Sequence, residues 1–558
     1  MNSFVDTSWV KPPQQIGGLD HLGVQAPCIQ IYGDLLPGIT NQTNRARYYS
    51  FYPWLLTEFE KRGWRSDEQL RLMLRRAECL LTLISLTHGH SEEGPQEIHG
   101  AAMVGSDILS GAAVKIQQGE SLLLSNYAHS DNGPLTRYFA HKYGALGQYY
   151  FGTLRDMGIL AGESVSKLRI PKETGAALAA IVAKYVPGEK FIETLSNDKV
   201  NLALLSNLAP FCSCQLKQAF EEIHLLVALM LKGWPALHPE GEPSAEEILS
   251  SKSRSQSLAY ICIMANAMNG DKTAFDIGAF RGIGYTVHTH SAQPLPLPSA
   301  LSDQANKWQA YQRNELLSIA LQGLFFSQLK AVELSNLFFA NTSELSQWFW
   351  TEGFGGKIII SWKGNNADDG LSALARELPN FGEWKSDKHE IQSMKRIGSL
   401  TQISGIGQLD ILTIISDSLT ILAALIYRPE NANGYAAYRF PENYLAHYPV
   451  NLNSTLSAWR DFVGKKPRAE GLALFTQINC LDAHLQVALR KLRQQSTNTF
   501  RFEPREGALA IKAIPQAANT SPRFRQAIRI LLDLDLLEEN GKLLNATKSG
   551  LDFIEAAL

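Results

Sequence analysis

The sequence is poor in cysteine and lacks the usual marks of export. Six cysteines in 558 residues are too sparse for a disulfide framework in a chain of this length. The first twenty residues have neither a basic start nor an apolar centre, so we expect no signal peptide. No uninterrupted apolar run reaches the 18 residues expected of a membrane span. These absences predict a cytoplasmic protein without membrane association.

Motifs that would assign a reaction are also missing. The sequence has no GxxxxGK[ST] loop for nucleotide phosphates and no GxSxG turn for a nucleophilic serine. The stretch GFGG at 353–356 precedes the apolar run KIIISW, whereas a phosphate-binding glycine loop follows a strand. We therefore predict no bound cofactor, and we favour a protein that is not an enzyme.

Residues that could bind a metal are present, but no motif is complete. The potential ligands are His88, His90, His99, His288 and His290, together with Cys212 and Cys214. Glu92 or Glu93 could add a third ligand to the first histidine group, yet neither group matches a known zinc spacing. The pair Cys212-Ser-Cys214 has no second pair at zinc-site spacing. The sequence indicates buried thiols and loop histidines, and it predicts no metal site.

Composition is that of an ordinary folded protein. Hydrophobic residues make up 45% of the chain and charged residues 19%, which excludes extensive disorder. The length suggests three or four domains. A net charge of −2 argues against a uniformly basic nucleic-acid coat but allows a local basic face.

Hydrophobic periodicity predicts a mainly α protein. Leucines recur at helical spacing in DEQLRLMLRRAECLLTLISLTHG, with Ser66 as its N-cap. The run KIIISW at 357–362 is the one clear strand prediction in the middle of the chain. We predict five domains: a helical domain at 1–130, a small α+β unit at 131–185, a helical domain at 186–340, an α-rich domain with a short strand at 341–500, and a second α+β unit at 501–558.

The two small units contain a repeated pattern. YYFGTLRDMGILAGESVSKLRIPKETGAALAAIV starts at Tyr149, and AIRILLDLDLLEENGKLLNATKSGLDFIEAAL ends the sequence. Aligning Asp156 with Asp533 separates the copies by 533 − 156 = 377 residues. Each copy has an apolar helix and then a short apolar stretch with acidic and glycine residues. A short segment that begins with Lys and ends with Gly, KETG in the first copy and KSG in the second, precedes a final apolar helix. The pattern predicts helix, hairpin and helix, with Asn540-Gly541 as the second hairpin turn.

This pattern resembles the winged helix-turn-helix modules of bacterial transcription regulators. The resemblance covers about 50 residues per copy, and it implies that the helix before the hairpin enters the DNA major groove. The second copy departs from the family at Asp535, where glycine is usual, and at Thr547, which is shifted by one beside Ser549. These departures leave the register of the wing open. Winged helices also serve as protein–protein and dimerisation modules.

Local charge favours the second copy as the DNA-binding one. Between Arg460 and Arg529, thirteen Lys and Arg face five Asp and Glu, a net charge of 13 − 5 = +8, as expected for phosphate binding. The first copy carries only Arg155 in LGQYYFGTLRDMG. The resemblance implies groove contacts by Arg523, Arg525, Gln526 and Arg529. The basic stretch RKLRQQS suggests phosphate contacts by Arg490, Lys491 and Arg493, although a solvated helix face explains part of this charge.

The whole chain is similar to uncharacterised bacterial proteins of multigene phage-defence loci, through LPGITNQTNRARYYSFYPWLL, the first repeat copy and the helical middle. That resemblance implies a non-enzymatic DNA-binding or scaffolding subunit acting with a helicase or nuclease, and it assigns no catalytic residue. Its partners would be duplex DNA and other subunits of the defence complex.

Two alternatives remain open from the sequence. One is a metal-dependent nuclease with a site around 350–390, where Asp368, Asp369 and Glu383-Trp-Lys385 loosely resemble the carboxylate spacing of restriction-type nucleases. The other is a transcription regulator, although such proteins rarely need 400 additional helical residues.

Overall fold

The computed structural model describes residues 20–64, 66–88, 97–130, 136–237, 245–431, 438–441, 444, 448, 450–495 and 497–558. The described residues are 66% helical, and the sheets they form are small and two-stranded. The predicted mainly α class is therefore confirmed. His90, Glu92, Glu93 and the first nineteen residues, on which some sequence predictions depend, lie outside the described residues.

The described helices, numbered along the chain, are α1 (Gln25–Leu35), α2 (Arg47–Lys61), α3 (Asp67–His88), α4 (Glu97–Gly100), α5 (Ser106–Gln117), α6 (Ser125–Ala128), α7 (Phe151–Asp156), α8 (Ala177–Tyr185), α9 (Gly188–Asn197), α10 (Leu202–Asn207), α11 (Phe220–Leu237), α12 (Ala245–Gly270), α13 (Ile277–Thr286), α14 (Ser302–Ser335), α15 (Thr342–Thr351), α16 (Phe354–Ile359), α17 (Ala367–Arg376), α18 (Glu390–Leu400), α19 (Gln408–Tyr427), α20 (Leu452–Ala458), α21 (Arg468–Thr476), α22 (Ala483–Gln495), α23 (Phe524–Asp533) and α24 (Lys548–Ala557).

The strands form antiparallel pairs. They are β1 (Leu122–Leu123) with β4 (Lys199–Val200), β2 (Ala161–Gly162) with β3 (Leu168–Arg169), β5 (Phe502–Arg505) with β6 (Ala508–Ile511), and β7 (Leu537–Asn540) with β8 (Leu543–Ala546). Short 3-10 or π turns occur at Leu146–Tyr150, Val165–Lys167, Lys172–Ala176, Ala209–Phe211, Ser213–Gln218, Ser299–Leu301, Pro429–Asn431, Trp459–Val463 and Gln477–Asp482.

The chain divides into two compact units made of non-consecutive segments. One comprises 32–280, 296–304 and 521–558, and the other comprises 1–31, 281–295 and 305–520. We call the first the repeat unit, because it holds both copies of the sequence repeat, and the second the helical unit. The five consecutive domains predicted from the sequence stay a prediction.

The repeat unit has an aromatic core around α2. Tyr48, Tyr52 and Tyr150 are fully buried, and the Tyr150 ring lies 4.9 Å from that of Tyr48 and 5.2 Å from that of Tyr52 between centroids. Glu78 of α3 is buried beside them and accepts a hydrogen bond from the Tyr52 hydroxyl at 3.0 Å. Burial raises the pKa of Glu78. Aromatic packing of this kind fixes α2 against α3 and the first repeat copy.

Helix α3 begins as its sequence predicts. The Ser66 hydroxyl accepts a hydrogen bond from the backbone N–H of Gln69 at 3.3 Å, which satisfies one of the donors left open at a helix start. Two acidic residues, Asp67 and Glu68, occupy the first turn, and the described part of the helix reaches His88. The helix thereby places His88 at a defined point of the repeat unit.

The helical unit contains one helix that is long and apolar enough to cross a membrane by length and composition, the only such helix among the described residues. This is α19, whose most apolar window has a mean hydropathy of 2.0. Asp410 and Asp417 interrupt its apolar residues, and 67% of the window is buried within the protein. Such burial is typical of a core helix in a soluble protein.

The strand predicted at 357–362 is wrong. Residues Phe354–Ile359 form α16, and the chain turns at 360–362. Ile359 is buried whereas Ile360 is 75% exposed. Three consecutive isoleucines favour a strand by propensity, but packing against α15 and α19 overrides that preference.

Candidate nucleic-acid interface and cysteine–histidine cluster

Both copies of the sequence repeat fold into a helix, an antiparallel hairpin and a second helix. The first copy uses α7, the pair β2–β3 and α8, and the second uses α23, the pair β7–β8 and α24. In the second hairpin Gly541 has a φ of +67° at the first position of the two-residue loop. Glycine at that position is typical of a type II′ turn.

The turn after the first helix is the same in both copies. Gly158 and Asp535 occupy equivalent positions, since 535 − 158 = 377, and both are left-handed, with φ of +67° and +56°. The next residue donates its backbone N–H to the equivalent leucine carbonyl, from Ile159 to Leu154 at 2.8 Å and from Leu536 to Leu531 at 2.9 Å. Asp535 therefore takes the conformation that the family pattern assigns to glycine.

The entry to the second helix is also shared. Gly175 and Gly550 lie so close to the first turn that an added Cβ would sit 2.3 Å from the carbonyl oxygen of Ile159 and 2.0 Å from that of Leu536. These two carbonyls are equivalent, since 536 − 159 = 377. Glycine is thus required in both copies because a backbone oxygen occupies the space of a side chain.

Two of the four groove residues predicted at and after the start of α23 are directed into the protein. Arg523 donates to the carbonyl oxygen of Leu36 at 2.6 Å and lies over the Tyr32 ring. Gln526 is 7% exposed and donates its amide to the Asn41 carbonyl at 2.9 Å. In this arrangement neither side chain presents its polar atoms to a groove.

The other two predicted groove residues remain closer to solvent. Arg525 is exposed. Arg529 is half-buried, with its guanidinium 3.5 Å from Asn44 Oδ1, and burial lowers its pKa. Of the predicted groove contacts, Arg525 is therefore the one best placed to meet DNA.

The predicted phosphate contacts lie on or near the end of α22. Arg493 is exposed, and Arg490 is half-buried over the Tyr448 ring, 4.9 Å from its centroid. Lys491 donates to the carbonyl oxygen of Asp20 at 3.1 Å, and burial lowers its pKa. Arg493 is the most accessible of the three.

The carboxylates proposed for a nuclease around 350–390 have structural contacts. Asp369 forms a capping box with Asn366 at the start of α17. Asp368 accepts hydrogen bonds from the Tyr427 hydroxyl and from Trp459 Nε1, the latter at 3.1 Å. The strand that would have carried such a site is absent from residues 354–362, which are helical or turn. The geometry therefore gives no support to a nuclease site there.

Four residues of the repeat unit bring their potential metal ligands together: His88, His99, Cys212 and Cys214, which we call the cysteine–histidine cluster. One ligand atom from each lies within 4.8 Å of the others. Hydrogen bonding from Cys214, and then from His88 and His99, lowers the pKa of the Cys212 thiol, although burial opposes this shift. Cys212 is fully buried and Cys214 half-buried.

Sequence reasoning weighed these histidines and cysteines in separate groups and did not join them. Cys212 is 113 residues from His99 along the chain, and Cys214 is 126 residues from His88. His288 and His290, the other histidine pair, belong to the helical unit and do not join the cluster. The sequence did contain one signal for the cluster: the pair His88 and His99 and the pair Cys212 and Cys214 each supply half of a Cys2His2 ligand set.

Comparisons with known proteins do not extend these observations, because no protein-family model, no curated protein and no solved structure matches the chain.

Proposed function

We propose that this chain is a non-enzymatic DNA-binding or scaffolding subunit of a bacterial multigene phage-defence system, acting with a helicase or nuclease partner. The helical architecture, the two repeated helix–hairpin–helix units and the lack of a recognisable catalytic motif support this proposal. Duplex DNA and other subunits of the defence complex are its proposed partners.

The observation that carries the DNA-binding part is the exposure of Arg493 and Arg525. Both lie in the stretch of net charge +8 within a chain of net charge −2. Such a stretch attracts phosphates because each cation that binds a phosphate releases condensed counterions from the DNA. The two arginines belong to different units, so each is a separate contact to be tested.

The proposed binding mode is contact with the DNA backbone rather than reading of base edges. Arg523 and Gln526 are engaged within the protein, which removes half of the predicted groove contacts. Phosphate contacts fix the position of a protein on DNA without selecting a sequence. We therefore expect binding with little sequence preference and strong dependence on salt.

Titration of labelled duplex DNA at several salt concentrations tests this proposal. The variants Arg493→Gln and Arg525→Gln, made singly and then combined as the double variant, should bind more weakly, and the slope of log affinity against log salt should flatten by about 0.9 for each lost contact. Arg376→Gln, which removes an exposed arginine from α17 outside the basic stretch, is the matched control. Equal affinities and slopes for wild type and the double variant would refute these contacts.

Two further measurements test the remaining parts of the proposal. Deletion of the coding region in its host should reduce resistance to phage, and wild-type protein should restore it where the double variant does not. Cleavage of plasmid DNA by the purified protein with a divalent metal would favour the nuclease alternative instead.

A further inference from the structure

The cysteine–histidine cluster has the composition and spacing of a tetrahedral zinc site. Cys212 Sγ lies 3.4 Å from His99 Nδ1, and Cys214 Sγ lies 3.4 Å from His88 Nδ1. Zinc bonds of about 2.3 Å to sulfur and about 2.0–2.1 Å to nitrogen, at tetrahedral angles, place N and S ligands about 3.5 Å apart. The two observed nitrogen–sulfur separations match that value, and all four ligand atoms lie within 4.8 Å of one another.

Both histidines approach the cysteines through the same ring atom. Nδ1 of His88 and Nδ1 of His99 are directed at different sulfurs, while the ring centroids are 5.1 Å apart and the planes cross at 77°. Each histidine nitrogen thus approaches one cysteine sulfur, and the four ligand atoms lie within 4.8 Å of one another.

The loop that carries the cysteines is anchored on both its side chains and its backbone. Phe211, directly before Cys212, packs on Phe191 and Trp54 at centroid distances of 4.4 and 4.9 Å. The carbonyl oxygen of Pro210 accepts a hydrogen bond from Arg47 at 2.7 Å. Anchoring of this kind holds ligands in place before a metal arrives.

Residues around the ligands supply further contacts to the centre. The amide of Gln215 is 3.5 Å from Cys214 Sγ as a donor. Arg45 donates to the carbonyl oxygen of Ala101, two residues after His99, at 3.1 Å, and its Nη1 lies 3.5 Å from the carbonyl oxygen of His99 itself. Such outer contacts orient ligands and tune a metal site.

Arg45 also connects the surroundings of the cluster to the second repeat copy. Its guanidinium forms an ion pair with Asp533, the last residue of α23, at 3.0 Å. Lys217, three residues after Cys214, pairs with Asp535 at 3.2 Å. Two ion pairs, one from Arg45 and one from Lys217 of the cysteine loop, therefore connect the surroundings of the cluster to the second repeat copy.

We propose that His88, His99, Cys212 and Cys214 bind one Zn²⁺ as a structural centre, which fastens the end of α3 to the 209–218 loop and supports the docking of the second repeat copy. Four protein ligands fill a tetrahedral ion and leave no open position for water or substrate, which is the property of a structural rather than a catalytic site. This inference is independent of DNA binding.

Metal analysis of the full-length protein tests the proposal directly. Protein purified under reducing conditions should contain about one zinc per chain, as expected for one Cys2His2 site. Cys212→Ser and Cys214→Ser should each lose the metal, whereas Cys262→Ala, which alters a buried thiol of α12 outside the cluster, should keep it. Removal of zinc by a chelator should lower the melting temperature by about 10 °C, because metal binding contributes to folding.

Cobalt substitution keeps the proposal testable if the serine variants fail to fold. Wild-type protein stripped of zinc and given Co²⁺ should show the strong visible bands of a tetrahedral ion and a thiolate-to-cobalt charge-transfer band. Wild-type protein that contains well below one zinc and gives no such spectrum would overturn the proposal. So would a disulfide between Cys212 and Cys214 in freshly prepared protein, or serine variants that retain one zinc.

Discussion

The hydroxyl of Thr547 donates a hydrogen bond to the carbonyl oxygen of Asp535 at 2.5 Å. The first repeat copy has the same bond at the same length, from Thr174 to the carbonyl oxygen of Gly158. The bonded residues are 12 apart in the second copy and 16 apart in the first, because the hairpins differ in length. In each copy, a threonine after the hairpin thus donates a hydrogen bond to the left-handed residue that precedes the hairpin.

The shared turn predicts how substitutions at Asp535 rank. Asp535→Gly should be more stable than Asp535→Ala by about 1 kcal/mol, because glycine takes positive φ without a Cβ penalty. Asp535→Asn controls for loss of the ion pair with Lys217, since asparagine tolerates the left-handed region. Urea unfolding of the three variants measures the order. Equal stability of the glycine and alanine variants would show that the turn does not impose this conformation.

The glycines at the second helix predict a steric effect common to both copies. Gly175→Ala and Gly550→Ala should each lower the free energy of unfolding by about 1–3 kcal/mol, because the new methyl group meets a carbonyl oxygen. Gly152→Ala is the control, since its added Cβ meets nothing within 4 Å in α7. That variant should be neutral or stabilised by up to about 1 kcal/mol. Calorimetric melting of all three separates crowding from helix propensity.

The contacts at the start of α23 predict different roles for Arg523, which precedes the helix, and Arg525, which lies in its first turn. Arg523→Ala should destabilise the protein by about 1–3 kcal/mol, because it removes a hydrogen bond to the Leu36 carbonyl and a cation–π contact with Tyr32. Arg525→Ala should change stability by less than about 0.5 kcal/mol, because its side chain is exposed. Thermal melting of both, followed by duplex titration at two salt concentrations, measures the two effects. Weaker DNA binding by Arg523→Ala without lost stability would contradict the structure.

Helices with periodic leucines and clear caps could be predicted from the sequence. Ser66, the leucines of α3 and Gly63 indicated where α2 and α3 end and begin, because local hydrogen bonding and periodicity decide those boundaries. KIIISW could not be assigned correctly, since its helical state depends on contacts with distant helices. Local propensity carries no information about such contacts.

The candidate sites were harder to predict for the same reason. The first two ligands of the cysteine–histidine cluster are separated from the other two by more than a hundred residues, and no local pattern reports that the fold joins them. Gln526 also illustrates contacts that a local pattern does not report. Its position on a helix before a hairpin suggested a groove contact, whereas packing against residues 41–44 turns it inward.

A buried histidine of the helical unit predicts a pH effect on stability. His484 is 1% exposed, and its Nε2 accepts the backbone N–H of Arg501 at 2.9 Å while its Nδ1 lies 3.1 Å from the carbonyl oxygen of His21. This pattern fits a neutral ring protonated on Nδ1. Protonation of Nε2 would place two N–H donors face to face. Burial first, and then the charges of Arg501 and Lys491, lower the pKa of His484 to about 4, although the His21 carbonyl opposes this shift.

The sign of the effect follows from the lowered pKa. Between pH 4 and the unfolded value of 6.5, the unfolded chain binds more protons at this site than the folded chain, so folding stability rises with pH. From pH 5 to 7 the contribution of His484 is about 2 kcal/mol, because the limiting slope of about 1.36 kcal/mol per pH unit falls off as the unfolded histidine loses its proton near pH 6.5. His484→Gln can keep a donor and an acceptor but does not titrate. Urea unfolding at pH 5, 6 and 7 measures the free energy of unfolding of both proteins. Between pH 5 and pH 7 this free energy should rise by about 2 kcal/mol less in the variant than in wild type. Identical pH dependence in the two proteins would mean that His484 is not held neutral in the folded chain.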